Sequence, residues 1–400
     1  MKNKLITGCS AAALIAAGLY ATVVSDPSEA ATIRTTAWTG TWAVAPQSGG
    51  SSYSDQTLRE VLHTSIGGSA ARIHISNLFG SAPLRVNDVH LAVSAGSGTI
   101  VSGSDHTVAF GGVSSVTVPA GKSAISDAIS MTVAAESDLA VSFYLPAPTG
   151  AATYHQLAKQ NNYVASGDDS ADTTLPSPST IQSYDFLTNV DVQNSAAQGS
   201  VVAFGASLTD GFASTDGANR RWPNDLANRL TAADRTVGVI NEGISGNNLL
   251  TGVNENPSGV SRFSRDVLQQ PGVRWVVISD DPINDLGNAD PPAEQLIAGL
   301  QQIIGLAHAA GVQVVCSTLT PFKDAYYWSA AGENGREAVN SWIRGSNSGC
   351  DHILDQDMVT HDPSNIQRYL PAYDSGDHLH PNDAGYQAIA DAVDIAGIFG

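Results

Sequence analysis

Basic residues are scarce in this chain. Lys and Arg number 19 against 38 Asp and Glu, a formal net charge of −19. That shortage excludes nucleic acid as a partner, because phosphate recognition needs clustered Lys and Arg. It also argues against stable association with an anionic membrane surface. Cysteine is scarcer still, with three in 400 residues. No His, Cys, Asp and Glu spacing makes a metal box, so neither a metal nor another cofactor is expected. No internal repeat of fixed length is present, and no long apolar lid of the kind that covers a lipase site. What is present is 42% hydrophobic residues, enough for real cores, in a chain long enough for two domains.

The N-terminus reads as a secretory leader over residues 1–30. Lys2 and Lys4 precede a small-residue apolar stretch from Leu5 to Val24, and Ser28-Glu29-Ala30 has the small-x-small form of a cleavage site. A secreted, extracellular protein is expected. Cys9 leaves with the leader, so Cys316 and Cys350 remain. Export makes a bridge between them chemically possible. If they lie on neighbouring parallel strands, strand rise sets them roughly 10 Å apart, too far to bond without displacement. The pairing stays open.

The rest of the chain has two grammars. From 32 to 195, short alternating runs such as "ARIHISNLF", "VHLAVSAG" and "DLAVSFYLP" are separated by Gly, Ser, Pro and Asp clusters. That spacing predicts an antiparallel β-sandwich or similar all-β domain. The stretch "VDVQNSAAQGS", 190–200, reads as a linker. From 196 to 400, apolar strands alternate with helical patterns. In one of these Leu296, Leu300, Ile303, Ile304 and Ala307 share a face, and Gly311 follows as a stop. Buried parallel strands with covering helices predict a three-layer α/β domain.

Such a domain carries its chemistry beyond the carboxyl ends of its strands. Four polar blocks sit there. They are "GASL" with Ser207, "GISGNN" with Gly246, "PIND" with Asn284, and "DHLHPND" with Asp377 and His380. A serine hydroxyl needs a base, imidazole supplies one near neutral pH, and a carboxylate fixes its tautomer. A tetrahedral oxyanion needs preorganised donors, each contributing roughly 3 kcal/mol. The backbone N–H groups of Ser207 and Gly246 and the Asn284 side chain can be those donors. Asp377 and His380 are three residues apart, within one turn, which favours His380 over His378 as the base. Because every relay candidate follows Val201, the β-region is expected to adjust substrate access and not to supply the relay.

In order and content these blocks resemble the SGNH hydrolases, the GDSL-type esterases and lipases, over residues 201–400. The resemblance implies a flavodoxin-like α/β/α sandwich. It also implies Ser207 as nucleophile, His380 as base and Asp377 as its orienting acid, with Ser207, Gly246 and Asn284 forming the oxyanion hole. The N-terminal "WTGTWAVAPQ" resembles, more loosely, the leader domain of larger secreted members. Two residues depart from the family pattern. Pro282 replaces a glycine, which should spare a donor that is a side chain. Ala206 replaces the aspartate before the serine. Its loss should cost rigidity of about 1–2 kcal/mol, and Ala206→Asp is expected to raise stability if the loop donors are unpaired.

The expected substrate is a small-molecule or polysaccharide ester, with acetylated carbohydrate ahead and lipid esters as the alternative. Trp38, Trp42 and Tyr53 are candidates for stacking on sugar rings, although most aromatics pack in a core. A second class of reading is a degenerate, carbohydrate-binding hydrolase fold, motivated by Ala206 and Pro282. A third is a metal-dependent glycosidase or phosphatase using Asp280, Asp281 and Asp285.

Overall fold

In the strand Gly199–Gly205 the side chains alternate between two separate cores. Val202 and Phe204 join Val276, Ile278 and Val314 under the helix Ala293–Ala309. Val201 and Ala203 join Val277 and Val315 under Trp222, Leu226, Tyr386 and Ile389. A strand covered on both faces is a near-continuous apolar run, as "VVAF" is. The computed structural model describes residues 37–400, so the leader read at 1–30, with Cys9, lies outside the described residues.

Five parallel strands make this sheet, in spatial order Val237–Gly243, Gly199–Gly205, Val273–Ile278, Gln313–Ser317 and His352–Leu354. Numbered along the chain, that order is 2-1-3-4-5, the flavodoxin-like winding. The helix Ala293–Ala309 buries Leu296, Leu300, Ile303, Ile304 and Ala307, the face read from the sequence, and Gly311 follows at φ 74°. Pro223 opens the helix Trp222–Ala232, where a missing N–H costs no hydrogen bond.

The N-terminal part is built on two large antiparallel sheets around one core, with a short two-stranded ladder, Tyr154–His155 and Tyr184–Asp185, beside them. Trp38–Ala43, Leu187–Gln193, Ala70–Asn77 and Lys122–Ile125 form the first. The second is built on Gln56–Thr64, Ser137–Leu145 and Leu84–Gly96. Ile73, Ile75, Val190 and Val192 of one meet Leu58, Leu62, Val141 and Phe143 of the other. The stretch 190–200 is therefore not a free linker. Val190–Gln193 completes a strand of the first sheet, Gly199 starts the parallel sheet, and only 194–198 connects them.

Residues 37–400 fold as one compact unit, and the two parts touch closely. The Gly40 N–H donates to Pro271 O at 3.0 Å, and the Val239 N–H donates to the Ser65 hydroxyl at 2.9 Å, which covers the edge strand of the parallel sheet. Cys316 and Cys350 form a disulfide with their Cα atoms 5.7 Å apart. In register Cys316 faces Ile353, so Cys350 precedes its strand. The turn at Gly349, φ 79°, and the Asp351 N–H donated to Val314 O fold it back toward Cys316. Extrapolating the strand through Cys350 overstates the separation for that reason.

Candidate active site

Strand 1 ends at Gly205, and the chain turns at once into the short helix Ser207–Asp210. Three hydrogen bonds to one carboxylate hold this turn. Asp280, just past strand 3, accepts from the Ala206 N–H at 3.0 Å, the Leu208 N–H at 2.8 Å and the Thr209 hydroxyl at 2.7 Å. A Cβ on Gly205 would collide with Asp280 Oδ1 and Thr209 Oγ1, so only glycine lets this carboxylate come so close. The turn's own donors are thus already paired without an aspartate at 206. The sequence contains this carboxylate in "SDDPIND", directly after an apolar strand, where it reads only as a candidate metal ligand.

The Ser207 hydroxyl lies 2.8 Å from His380 Nε2, and His380 Nδ1 lies 2.6 Å from Asp377 Oδ2. Ser207 and His380 are both buried. The other oxygen of Asp377 accepts from the N–H groups of Leu379 and His380 and from the Ser375 hydroxyl. Partial burial pushes the Asp377 carboxyl up. The hydrogen bonds and charge of His380 and the two backbone donors outweigh that and hold it well below the usual carboxylate range. His378 turns away: its Nδ1 is 2.6 Å from Asp374, and half of its side chain is exposed. Phe212 packs against the His380 ring at 4.4 Å between centroids.

Gly246 follows strand 2 with φ 77°, a conformation that favours glycine. Among the described residues neither the Ser207 N–H nor the Gly246 N–H meets an acceptor. Asn284 donates from Nδ2 to Asn247 O at 2.8 Å, which uses one of its two amide hydrogens. Tyr327 donates its hydroxyl to Asn284 Oδ1 at 3.1 Å and so fixes which end of the amide is the donor. Burial pushes the Tyr327 phenol far above its ordinary value, which keeps that donor protonated. Pro282 sits in the first turn of the helix Asp281–Asn288, where no partner for its missing N–H is needed.

Carboxylates strap the loop around Gly246. Asp210 accepts from the Ser245 N–H and hydroxyl at 2.9 and 2.7 Å. Asp281 accepts from the Asn247 side chain at 3.2 Å, and Asp285 from the N–H groups of Leu249 and Leu250. Burial pushes Asp281 up to about 7 against the pull of Arg262, and Asp285 up to about 6. Arg262, itself buried, donates to the terminal carbonyls of two strands, Gly205 O and Glu242 O. The acidic residues Asp280, Asp281 and Asp285, candidate metal ligands by sequence, are thereby engaged with backbone, hydroxyl and amide donors. Sequence reasoning missed Arg262 and Tyr327, which lie in segments whose approach to the site only the fold determines. The suggested sugar platforms are corrected in part: Trp42 and Tyr53 are core residues, Trp42 packing edge-on to Tyr184.

Residues 203–388 match the GDSL-like lipase/acylhydrolase family. The match covers just under half of the chain, and it gives the C-terminal part a GDSL-type ester hydrolase domain. Among solved structures the chain is similar to a carbohydrate acetylesterase family member from Sinorhizobium meliloti, with 16% identity over 49% of this chain and 95% of that one, TM-score 0.40. It is also similar to the aryl esterase of M. smegmatis, with 18% identity over 48% and 95%, TM-score 0.40. A third is LAE5, an alpha/beta hydrolase from the metagenome of Lake Arreo, with 22% identity over 50% and 95%, TM-score 0.38. Among curated proteins, no sequence matches the chain.

Proposed function

We propose that the chain is an exported serine esterase in which Ser207 is the nucleophile, His380 the general base and Asp377 the group that orients it. The observation that carries this reading is the unbroken hydrogen-bond chain from Ser207 Oγ through both ring nitrogens of His380 to Asp377. Ser207 attacks the ester carbonyl as its proton passes to His380 Nε2. The oxyanion forms against the unclaimed N–H groups of Ser207 and Gly246 and the remaining amide hydrogen of Asn284. His380 then returns its proton to the departing alkoxide. A water, deprotonated by the same ring, releases the acid. The depressed Asp377 stays ionised throughout, as an orienting group must.

Acyl esters of carbohydrates or other short-chain esters are the substrates we favour. Two exposed aromatics adjoin residues of the site: Phe212 packs against His380, and Tyr326, 86% exposed, packs on Tyr327 at 4.4 Å. Rings so placed suit a flat or ring-bearing alcohol. Export is supported by the leader-like N-terminus and by the Cys316–Cys350 bridge, which fits an oxidising compartment. Among the described residues no helix is long and apolar enough to cross a membrane.

The test is Ser207→Ala assayed on acetylated xylan, short aryl esters and phospholipids. Hydrolysis should vanish with the fold intact. Residual turnover within about tenfold of the parent is more than a chain without its nucleophile can give, and would refute the assignment. Preference for phospholipid over acetylated xylan would replace the carbohydrate reading with the lipid one.

A further inference from the structure

We infer that His155, a residue of the β-region, is a positioning residue for ester hydrolysis; this rests on the relay reading above. His155 ends the short strand Tyr154–His155 and is buried. Its Nδ1 is 2.9 Å from Ala45 O, and its Nε2 is 3.0 Å from Asp210 Oδ1. The ring thus bridges a main-chain carbonyl of the β-region and the Asp210 carboxyl group, with a hydrogen bond at each nitrogen. Asp210 is buried too, and its other oxygen takes the N–H and hydroxyl of Ser245.

One carboxylate therefore joins three pieces. Asp210 is the last residue of the helix that begins with Ser207. Ser245 immediately precedes Gly246. His155 belongs to the other part of the chain and is anchored there on a main-chain carbonyl. Nucleophile and oxyanion donor are thus spaced through Asp210, and the hydrogen bond from His155 fixes the direction of that side chain in a buried setting. Remove that ring, and Asp210 Oδ1 loses its partner while a cavity opens beside it, so the side chain can turn. That turn loosens Ser245, and with it the direction of the Gly246 N–H. Oxyanion donors act through preorganisation, so a small misdirection lowers kcat more than it weakens ground-state binding. The β-region then shapes the reaction itself, although the relay lies wholly outside it.

The experiment uses the full chain, a small aryl ester, and active sites counted with a fluorophosphonate. In His155→Ala, kcat per counted site should fall about 10- to 100-fold with KM within about threefold. His155→Gln, whose amide still donates to Asp210, should recover most of that loss. Asp210→Asn keeps one bond to Ser245 and one to the His155 ring, so it should fold and lose less than His155→Ala. A purely structural His155 would reduce the number of countable sites and the unfolding midpoint while leaving kcat per site unchanged. That result, or unchanged kcat per site in both His155→Gln and Asp210→Asn should His155→Ala fail to fold, overturns the inference. A parent chain that neither turns over nor takes label overturns the relay reading and this inference with it. A labelled, active parent with unaffected variants overturns this inference alone.

Discussion

The two parts of the molecule bury charge for different ends. In the β-region, Arg59 is fully buried and donates to the Ser142 hydroxyl and to carbonyls of Gly98, Ser170 and Asp172. Its neighbour Glu60 accepts from the Asp185 N–H. These contacts tie the loops around 98 and 170 onto the sheet and touch no reacting group. In the α/β region the buried charges gather at the carboxyl ends of the strands. There Asp280 holds the Ser207 turn, Asp210, Asp281 and Asp285 hold the Gly246 loop, and Arg262 ties two strand ends together. A sandwich core uses such groups to close itself. An open parallel sheet uses them to fix loops that would otherwise be mobile.

The largest expected effect lies on the α/β side. His380→Ala should lower kcat by at least about 10³, the scale of losing a general base in a triad. His378→Ala, whose ring faces Asp374 instead, should change it little. Steady-state kinetics on one aryl ester decides, and a larger loss in His378→Ala would invert the assignment.

Next comes the turn. Asp280→Ala leaves the buried N–H groups of Ala206 and Leu208 without acceptors and should cost about 3 kcal/mol in denaturant unfolding, with kcat falling as the turn loosens. Ala206→Asp, expected from sequence to stabilise, should instead destabilise by about 1–3 kcal/mol, because it sets a second buried carboxylate beside Asp280. The double exchange, Ala206→Asp with Asp280→Ala, should recover part of the Asp280→Ala loss. If Ala206→Asp alone stabilises the chain, Asp280 is not what replaces the missing aspartate.

The smallest effect is shared by both parts. Burial raises Glu60 and Asp185 on the β side, the latter to about 6, and Glu242, Asp281 and Asp285 on the other. A carboxyl whose pKa is raised by folding binds its proton more tightly in the native chain. It favours the fold below about pH 4 and loses that contribution as pH rises through its native value of 6 to 7. Asp377 and Asp355 are held low and act in the opposite sense in stronger acid. The melting temperature at constant ionic strength should therefore be higher near pH 5 than at pH 8. A rise from pH 5 to 8 would mean that these carboxyls do not carry the raised values.

The same contrast explains what the sequence discloses. The parallel strands are apolar runs ending in small-residue turns, so Ser207, Gly246, Asn284 and the Asp377–His380 pair could be put forward as candidates from position, spacing and family resemblance. In the β-region, Gln56–Thr64 is a central strand, yet "QTLREVLHT" carries Arg59 and Glu60 in its middle and gives no clean alternation. Their partners lie as far as 125 residues along the chain. Likewise nothing near His155 marks it, because its partner is 55 residues away and in the other grammar. Motifs report local geometry. Long-range partners of buried charges become visible only when the fold is.

The measurement that bears most directly on the central claim is fluorophosphonate labelling of the chain as it stands, with Ala206 in place, followed by peptide mapping. We expect one adduct, on Ser207, accompanied by ester turnover, because Asp280 already holds the turn. Labelling at another serine, or label and turnover that appear only after Ala206→Asp, would contradict it.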